Sequence, residues 1–311
     1  IYETTNFFIN YFLSRTGVLF NYSAMKKYNF KIYFFLLLSI VFVGANPAYA
    51  QKSSDKTIKI LAIGNSFSQD AIEQYLWNIA QADSIDIVVG NLYFGGCSLE
   101  QHWKFLTEND SVYNYRKIVN GIKTDTPHYS LTQALADEHW DYVSFQQASH
   151  FSGMPLTYAP FLDELMKYVR QNVNDSTKFM FHSTWAYSQD SKHPGFANYS
   201  CSQNVMFDEI IGTTEMVMDA YHFDILIPCG TAIQNARTST IGDSMTRDGY
   251  HLNYVYGRYT AACTWFESIF QRPVAGNPYS PEGITPAQKK IAQESAHAAI
   301  LSPFSVTQIS E

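Results

Sequence analysis

Ile60-Leu61-Ala62-Ile63-Gly64-Asn65-Ser66-Phe67-Ser68 is an apolar run that climbs to a glycine, with a serine two residues behind it. A short apolar run closed by a turn former reads as a buried strand. Here the strand spans 57–63, and a helix is expected over 70–82. Strand and helix signals then alternate along the chain. Strands are read at 86–94, 141–145, 178–183 and 224–227, and helices at 99–107, 131–138, 160–173, 203–221 and 252–270. Residues 113–130 carry turn formers without a clean period and read as an excursion of hairpin type. Such alternation predicts an α/β fold, a parallel sheet with helices on both faces. Ligands of such sheets bind beyond the carboxyl ends of the strands.

Ser66 falls at that edge, where the first strand turns into a helix. Free N–H groups and the helix dipole there favour an oxyanion. A helix cap is the plainer role for such a serine, although Ser68 and Asp70 compete for it. About 180 residues later comes Arg247-Asp248-Gly249-Tyr250-His251. Asp248 and His251 stand three apart, which on a helical or turn-like segment puts both side chains on one side. Ser, Asp and His together are the side chains of an acyl-transfer triad. The plainer reading of Asp248-Gly249 is a surface turn.

Two further strand ends carry polar or flexible groups. Gly95-Gly96-Cys97-Ser98 follows the second strand, where a glycine lets a backbone N–H approach a ligand closely. Gln146-Gln147 ends the third strand, as an amide donor or as a polar strand cap. Trp103, Trp185 and Tyr187 are candidates for a substrate wall or for plain core. Position 68 is Ser where the nucleophile elbow G-x-S-x-G requires Gly.

The amino-terminal part reads as a targeting segment. Residues 1–24 precede the first Met and read as upstream sequence from a wrong start. Residues 25–50 read as a secretory signal, with Lys26, Lys27 and Lys31, an apolar run over 32–43, and cleavage after Ala50 in Ala48-Tyr49-Ala50. This reading predicts a periplasmic or extracellular location with no stable membrane insertion after cleavage; an N-terminal membrane anchor is the alternative. The remaining 261 residues suit one α/β domain over 57–272 and an extension over 273–311 with a helix at 286–299. Removing four basic residues and one acidic residue with the first 50 takes the formal charge from −7 to −10. That balance disfavours a nucleic-acid partner. Cys97, Cys201, Cys229 and Cys263 are not spaced as zinc pairs, and either disulfides or buried thiols fit them.

These blocks resemble the SGNH hydrolases, also called GDSL esterases, over about residues 58–270. Gly64-Asn65-Ser66 is similar to their first block with Asn for Asp, Gly96 to their second, and Asp248 to His251 to their last. Their third block, G-x-N-D, is replaced by Ser144-Phe145-Gln146-Gln147-Ala148-Ser149. The resemblance implies a flavodoxin-like three-layer α/β/α sandwich with a central parallel five-stranded sheet. It also implies a serine esterase working through an acyl-Ser66 intermediate, with no cofactor and no metal. The N–H groups of Ser66 and Gly96 and the amide of Gln147 would form its oxyanion hole. The expected substrate is a small-molecule or glycan ester with a short acyl group, acetyl on a carbohydrate being the first candidate, and Trp185 and Trp103 would face it. A non-catalytic glycan-binding protein on this scaffold, or a lipase or thioesterase, is the alternative.

Overall fold

The computed structural model describes residues 56–310; the segments 1–24 and 25–50 lie outside them. β1 (Ile58–Gly64) pairs in parallel with β2 (Ile87–Tyr93) on one side and β5 (Tyr142–Phe145) on the other. A strand buried on both faces reads as a continuous apolar run, which is what Ile60 to Ile63 show. Its side chains still alternate: Ile60 and Ala62 enter one apolar cluster, Leu61 and Ile63 the other. β6 (Lys178–His182) and β7 (Ile225–Ile227) continue the parallel sheet beyond β5.

On the far edge of β2, β3 (Tyr113–Val119) and β4 (Ile122–Tyr129) form an antiparallel hairpin. The order across the sheet is β4-β3-β2-β1-β5-β6-β7. Counted alone, the parallel strands run 2-1-3-4-5, the flavodoxin-like order. The hairpin raises the expected five strands to seven. β4 was hard to read because it is exposed almost throughout, so no apolar face marks it. Its Lys123, Asp125 and Pro127 suit an edge strand, where charge and proline discourage pairing with another chain.

The helix expected over 70–82 is two, α1 (Ser66–Ile72) and α2 (Leu76–Ala82). Both lie on the first apolar cluster with α7 (Cys229–Arg237), α8 (Tyr256–Phe270) and α9 (Pro286–Leu301). The other face is covered by α3 (Leu99–Thr107), α4 (Leu131–Asp137) and α5 (Phe161–Asn172). α6 (Gln203–Tyr221) gives residues to both clusters. α7 had no sequence signal because it is short and its buried side carries the polar residues Thr231 and Asn235, which break the apolar pattern. α9 shares the main core through Ile291, Ala292 and Ala296, and its Gln293 amide donates to the Tyr259 hydroxyl. All four cysteines are free thiols, with only Cys201 exposed.

Candidate active site

The end of β1 and the start of α1 form a tight elbow. A Cβ on Gly64 would sit 2.4 Å from Ser68 Oγ, so the turn closes only on glycine. Asn65 is buried and makes three bonds. Its Oδ1 accepts the Phe67 N–H at 2.9 Å and Gln146 Nε2 at 2.7 Å, while its Nδ2 donates to the Cys97 carbonyl at 3.0 Å. One side chain thus caps α1 and ties together the ends of β1, β2 and β5. Gln146 is braced in turn by His182, whose Nδ1 lies 2.9 Å from its Oε1. Burial pushes the His182 pKa down to about 3, so this ring is neutral, and its Nε2 has no hydrogen-bond partner among the described residues.

Asn65, not Ser66, is therefore the helix cap. Ser66 is the first helical residue and half-buried. Among the described residues, neither its hydroxyl nor its N–H makes a hydrogen bond. Gly96 sits across the strand ends with φ +67°, exposed, with nothing within 4 Å of where a Cβ would be. Its N–H likewise has no partner among the described residues. Both backbone donors assigned from sequence are free.

Gln147 requires a correction. Its Nε2 donates to the Thr157 carbonyl and hydroxyl at 3.0 and 3.1 Å, and its Oε1 accepts the N–H groups of Leu99 and Ala148. Both amide hydrogens and the oxygen are committed in a buried setting, so this side chain braces loops and has no donor left for an oxyanion.

Asp248 and His251 lie on a loop ahead of α8, which starts four residues later than expected. The loop folds back on itself through Arg247 N–H to His251 carbonyl, Asn253 N–H to Met245 carbonyl, and a bridge between Thr246 and Leu252. At its tip Gly249 takes φ +92°, a left-handed conformation that favours glycine. Asp248 Oδ2 lies 2.7 Å from His251 Nδ1, and its Oδ1 accepts the N–H groups of His251 and Tyr250 at 2.8 and 3.2 Å. Partial burial pushes the Asp248 carboxyl up, but these bonds outweigh it and hold it below its usual range. A carboxylate on Nδ1 places the proton there and leaves Nε2 as the basic nitrogen.

Elbow and loop meet across a packed aromatic contact. Phe67 stacks on Trp185 at 4.2 Å, and Trp185 Nε1 donates to the Tyr250 carbonyl at 2.8 Å. The Phe67 ring lies 6.1 Å from that of His251. No hydrogen bond joins the Ser66 hydroxyl to the His251 ring among the described contacts; such bonds often tighten only around substrate. Trp185 is 0% exposed, and Tyr187 is equally buried, so neither is a substrate wall. Trp103 is half-buried on α3 and packs against the second cluster. The partly exposed rings beside His251 are those of Tyr250 and His193, 4.1 Å from His251 and 4.8 Å from Tyr250 respectively. Sequence reasoning passed over both, and it weighed Asp70 only as a cap. Asp70 lies four residues from Ser66, one turn along the same helix face, and that spacing was the available signal.

Behind Asp248 opens a cavity of about 540 Å³, lined by polar groups that include Asp190, Lys192, Asp243, Ser244, Arg247 and Tyr256. Among the described residues, no group of three or more His, Cys, Asp or Glu could hold a metal ion. No helix among them is long and apolar enough to cross a membrane.

A family model described as "Domain of unknown function (DUF4886)" matches residues 59–299. The crystal structure of a DUF4886 family protein from Bacteroides uniformis is 51% identical, with a TM-score of 0.80 over 82% of this chain and 98% of that one. A protein assigned to the SGNH hydrolases from Slackia heliotrinireducens matches at 19% identity and TM-score 0.46, over 69% of this chain and all of the other. Axe2, an acetylxylan esterase from Geobacillus stearothermophilus, matches at 10% identity and TM-score 0.44, over 72% and 97% of the two chains. No curated protein sequence matches the chain.

Proposed function

The chain belongs to the DUF4886 family, and we propose that it is a serine ester hydrolase of SGNH type. One observation carries the reading: a 2.7 Å Asp248–His251 pair stands on a loop packed against the helix that begins at a free Ser66 hydroxyl. In this reading Ser66 Oγ attacks the ester carbonyl carbon while His251 Nε2 takes its proton. The N–H groups of Ser66 and Gly96 receive the oxyanion, each donor contributing about 3 kcal/mol in comparable sites. His251 then protonates the departing alcohol, and water, activated by the same ring, releases the acid from Ser66. Asp248 holds the ring tautomer throughout.

We place the substrate among short acyl esters of polyhydroxylated alcohols, carbohydrates first. The cavity behind Asp248 is lined by hydrogen-bonding groups, which suit hydroxyls better than an alkyl chain, and Tyr250 and His193 offer ring faces beside the base. Export through the segment at 25–50 would put the enzyme in contact with such glycans. Because Gln147 is committed elsewhere, a glycan-binding protein with an inert Ser66 is the second reading.

The test is direct. The purified protein should release p-nitrophenol from p-nitrophenyl acetate, and Ser66→Ala should lower kcat by at least about 1000-fold. Turnover unchanged in Ser66→Ala would refute the nucleophile. A screen of acetylated sugars against longer acyl esters then ranks the substrate classes.

A further inference from the structure

We propose that Asp70 is a positioning residue for this reaction, its carboxylate fixing where His251 stands relative to Ser66. The proposal rests on the esterase reading above. Asp70 is fully buried and lies one helical turn from Ser66 on the same face of α1. Its Oδ2 accepts the Leu252 N–H at 2.8 Å and an Arg247 guanidinium N–H at 2.9 Å. Its Oδ1 accepts two N–H groups of Arg258, on α8, at 2.9 and 2.6 Å. Leu252 directly follows His251, and Arg247 directly precedes Asp248. One carboxylate therefore grips both ends of the segment that carries the base and its partner.

The surroundings stiffen that grip. Arg247 also donates to the Leu252 carbonyl, and Arg258 donates to Gln74 Oε1 at 2.7 Å. Both guanidinium groups lie against the Tyr254 ring, at 4.6 and 4.8 Å from its centroid. The Tyr254 carbonyl accepts the Tyr75 hydroxyl at 2.9 Å. The Asp248–His251 bond, by contrast, closes within the loop and says nothing of where Ser66 is. Trp185 reaches the carbonyl of Tyr250; Asp70 reaches the backbone next to His251 from the helix of the nucleophile itself. A displacement of about 1 Å between reacting groups costs on the order of 100-fold in rate.

Asp70→Asn keeps the volume but turns an N–H₂ toward Arg247, Arg258 or the Leu252 N–H. Per folded molecule, kcat for p-nitrophenyl acetate should fall between about 10- and 100-fold, with KM within about twofold. The acid limb of the pH profile should stay in place, because the Asp248–His251 bond survives. Amide hydrogen exchange at Leu252 should rise at least about 10-fold while β1 and β5 keep their protection. Should Asp70→Asn fail to fold, Arg247→Met removes one arm of the grip and should move both readouts in the same direction. A rate within about twofold of the parent, or unchanged exchange at Leu252, overturns the proposal. A parent protein without esterase activity would instead sink the esterase reading and with it the catalytic part of this proposal; exchange at Leu252 would still decide whether Asp70 holds the loop.

Discussion

Ser66 and His251 reach the same sheet edge by opposite means. The elbow at 64–66 is held from within. Asn65 caps its own helix, Gly64 closes against Ser68, and the glutamine that steadies Asn65 comes from the adjacent strand. The loop at 245–253 is held from without. Its internal bonds fix its shape, but its place in the molecule is set by Asp70, Trp185 and Ser188, whose N–H bonds the Gly249 carbonyl. A nucleophile at a strand end is built into the sheet, whereas its base must be delivered by contacts made across some 180 residues of sequence.

The largest effect that separates the two regions is on rate. Asp248→Asn disturbs the loop's chemistry and leaves the elbow intact, so kcat should drop about 100-fold, near 2.7 kcal/mol, with little change in thermal midpoint. Next comes the elbow itself. Asn65→Ala deletes the cap and strands the Gln146 amide, for a loss of about 2 kcal/mol in urea unfolding at unchanged m-value. Full stability in that variant would break the claim that the elbow is locally secured.

Acid should then tell the regions apart. His182 braces the elbow as a neutral ring with its pKa near 3, against about 6.5 when unfolded. The unfolded chain takes up that proton first. Stability therefore falls as pH drops below about 6.5, by up to about 1.4 kcal/mol per unit, and the fall continues until pH nears 3. His182→Gln should flatten part of that slope between pH 7 and 5, and an unchanged slope would contradict it. The loop's carboxylate, lowered by its own bonds, contributes in full above the usual carboxylate range and loses that contribution as pH falls through that range toward its own lowered value. Smallest is Gly249→Ala, which forces alanine to φ +92° with a Cβ 2.9 Å from Ser191 Cα. About 1 kcal/mol of stability should go, accompanied by a modest loss of rate.

What the sequence disclosed follows the same division. The strand–helix alternation, the exact span of α3 and α6, the Ser66 elbow and the Asp248–His251 spacing are local patterns, and local patterns can be read. β4 was legible only as part of a hairpin-type excursion because an exposed edge strand has no apolar face, and α7 escaped because the buried polar residues Thr231 and Asn235 break its apolar pattern. Gln147 and Trp185 were misassigned for a shared reason. Amides and indoles serve a ligand or the protein's own backbone equally well, and only their neighbours decide which. Asp70 was undervalued because its partners, Arg247, Leu252 and Arg258, are 177 to 188 residues away.

The most direct trial of the central claim is covalent. The protein is incubated with a fluorophosphonate probe and its peptides are read by mass spectrometry, beside His251→Ala. The account predicts an adduct on Ser66 that forms rapidly in the parent and at least about 100-fold more slowly without the imidazole. An unmodified Ser66, or labelling indifferent to His251, would contradict it.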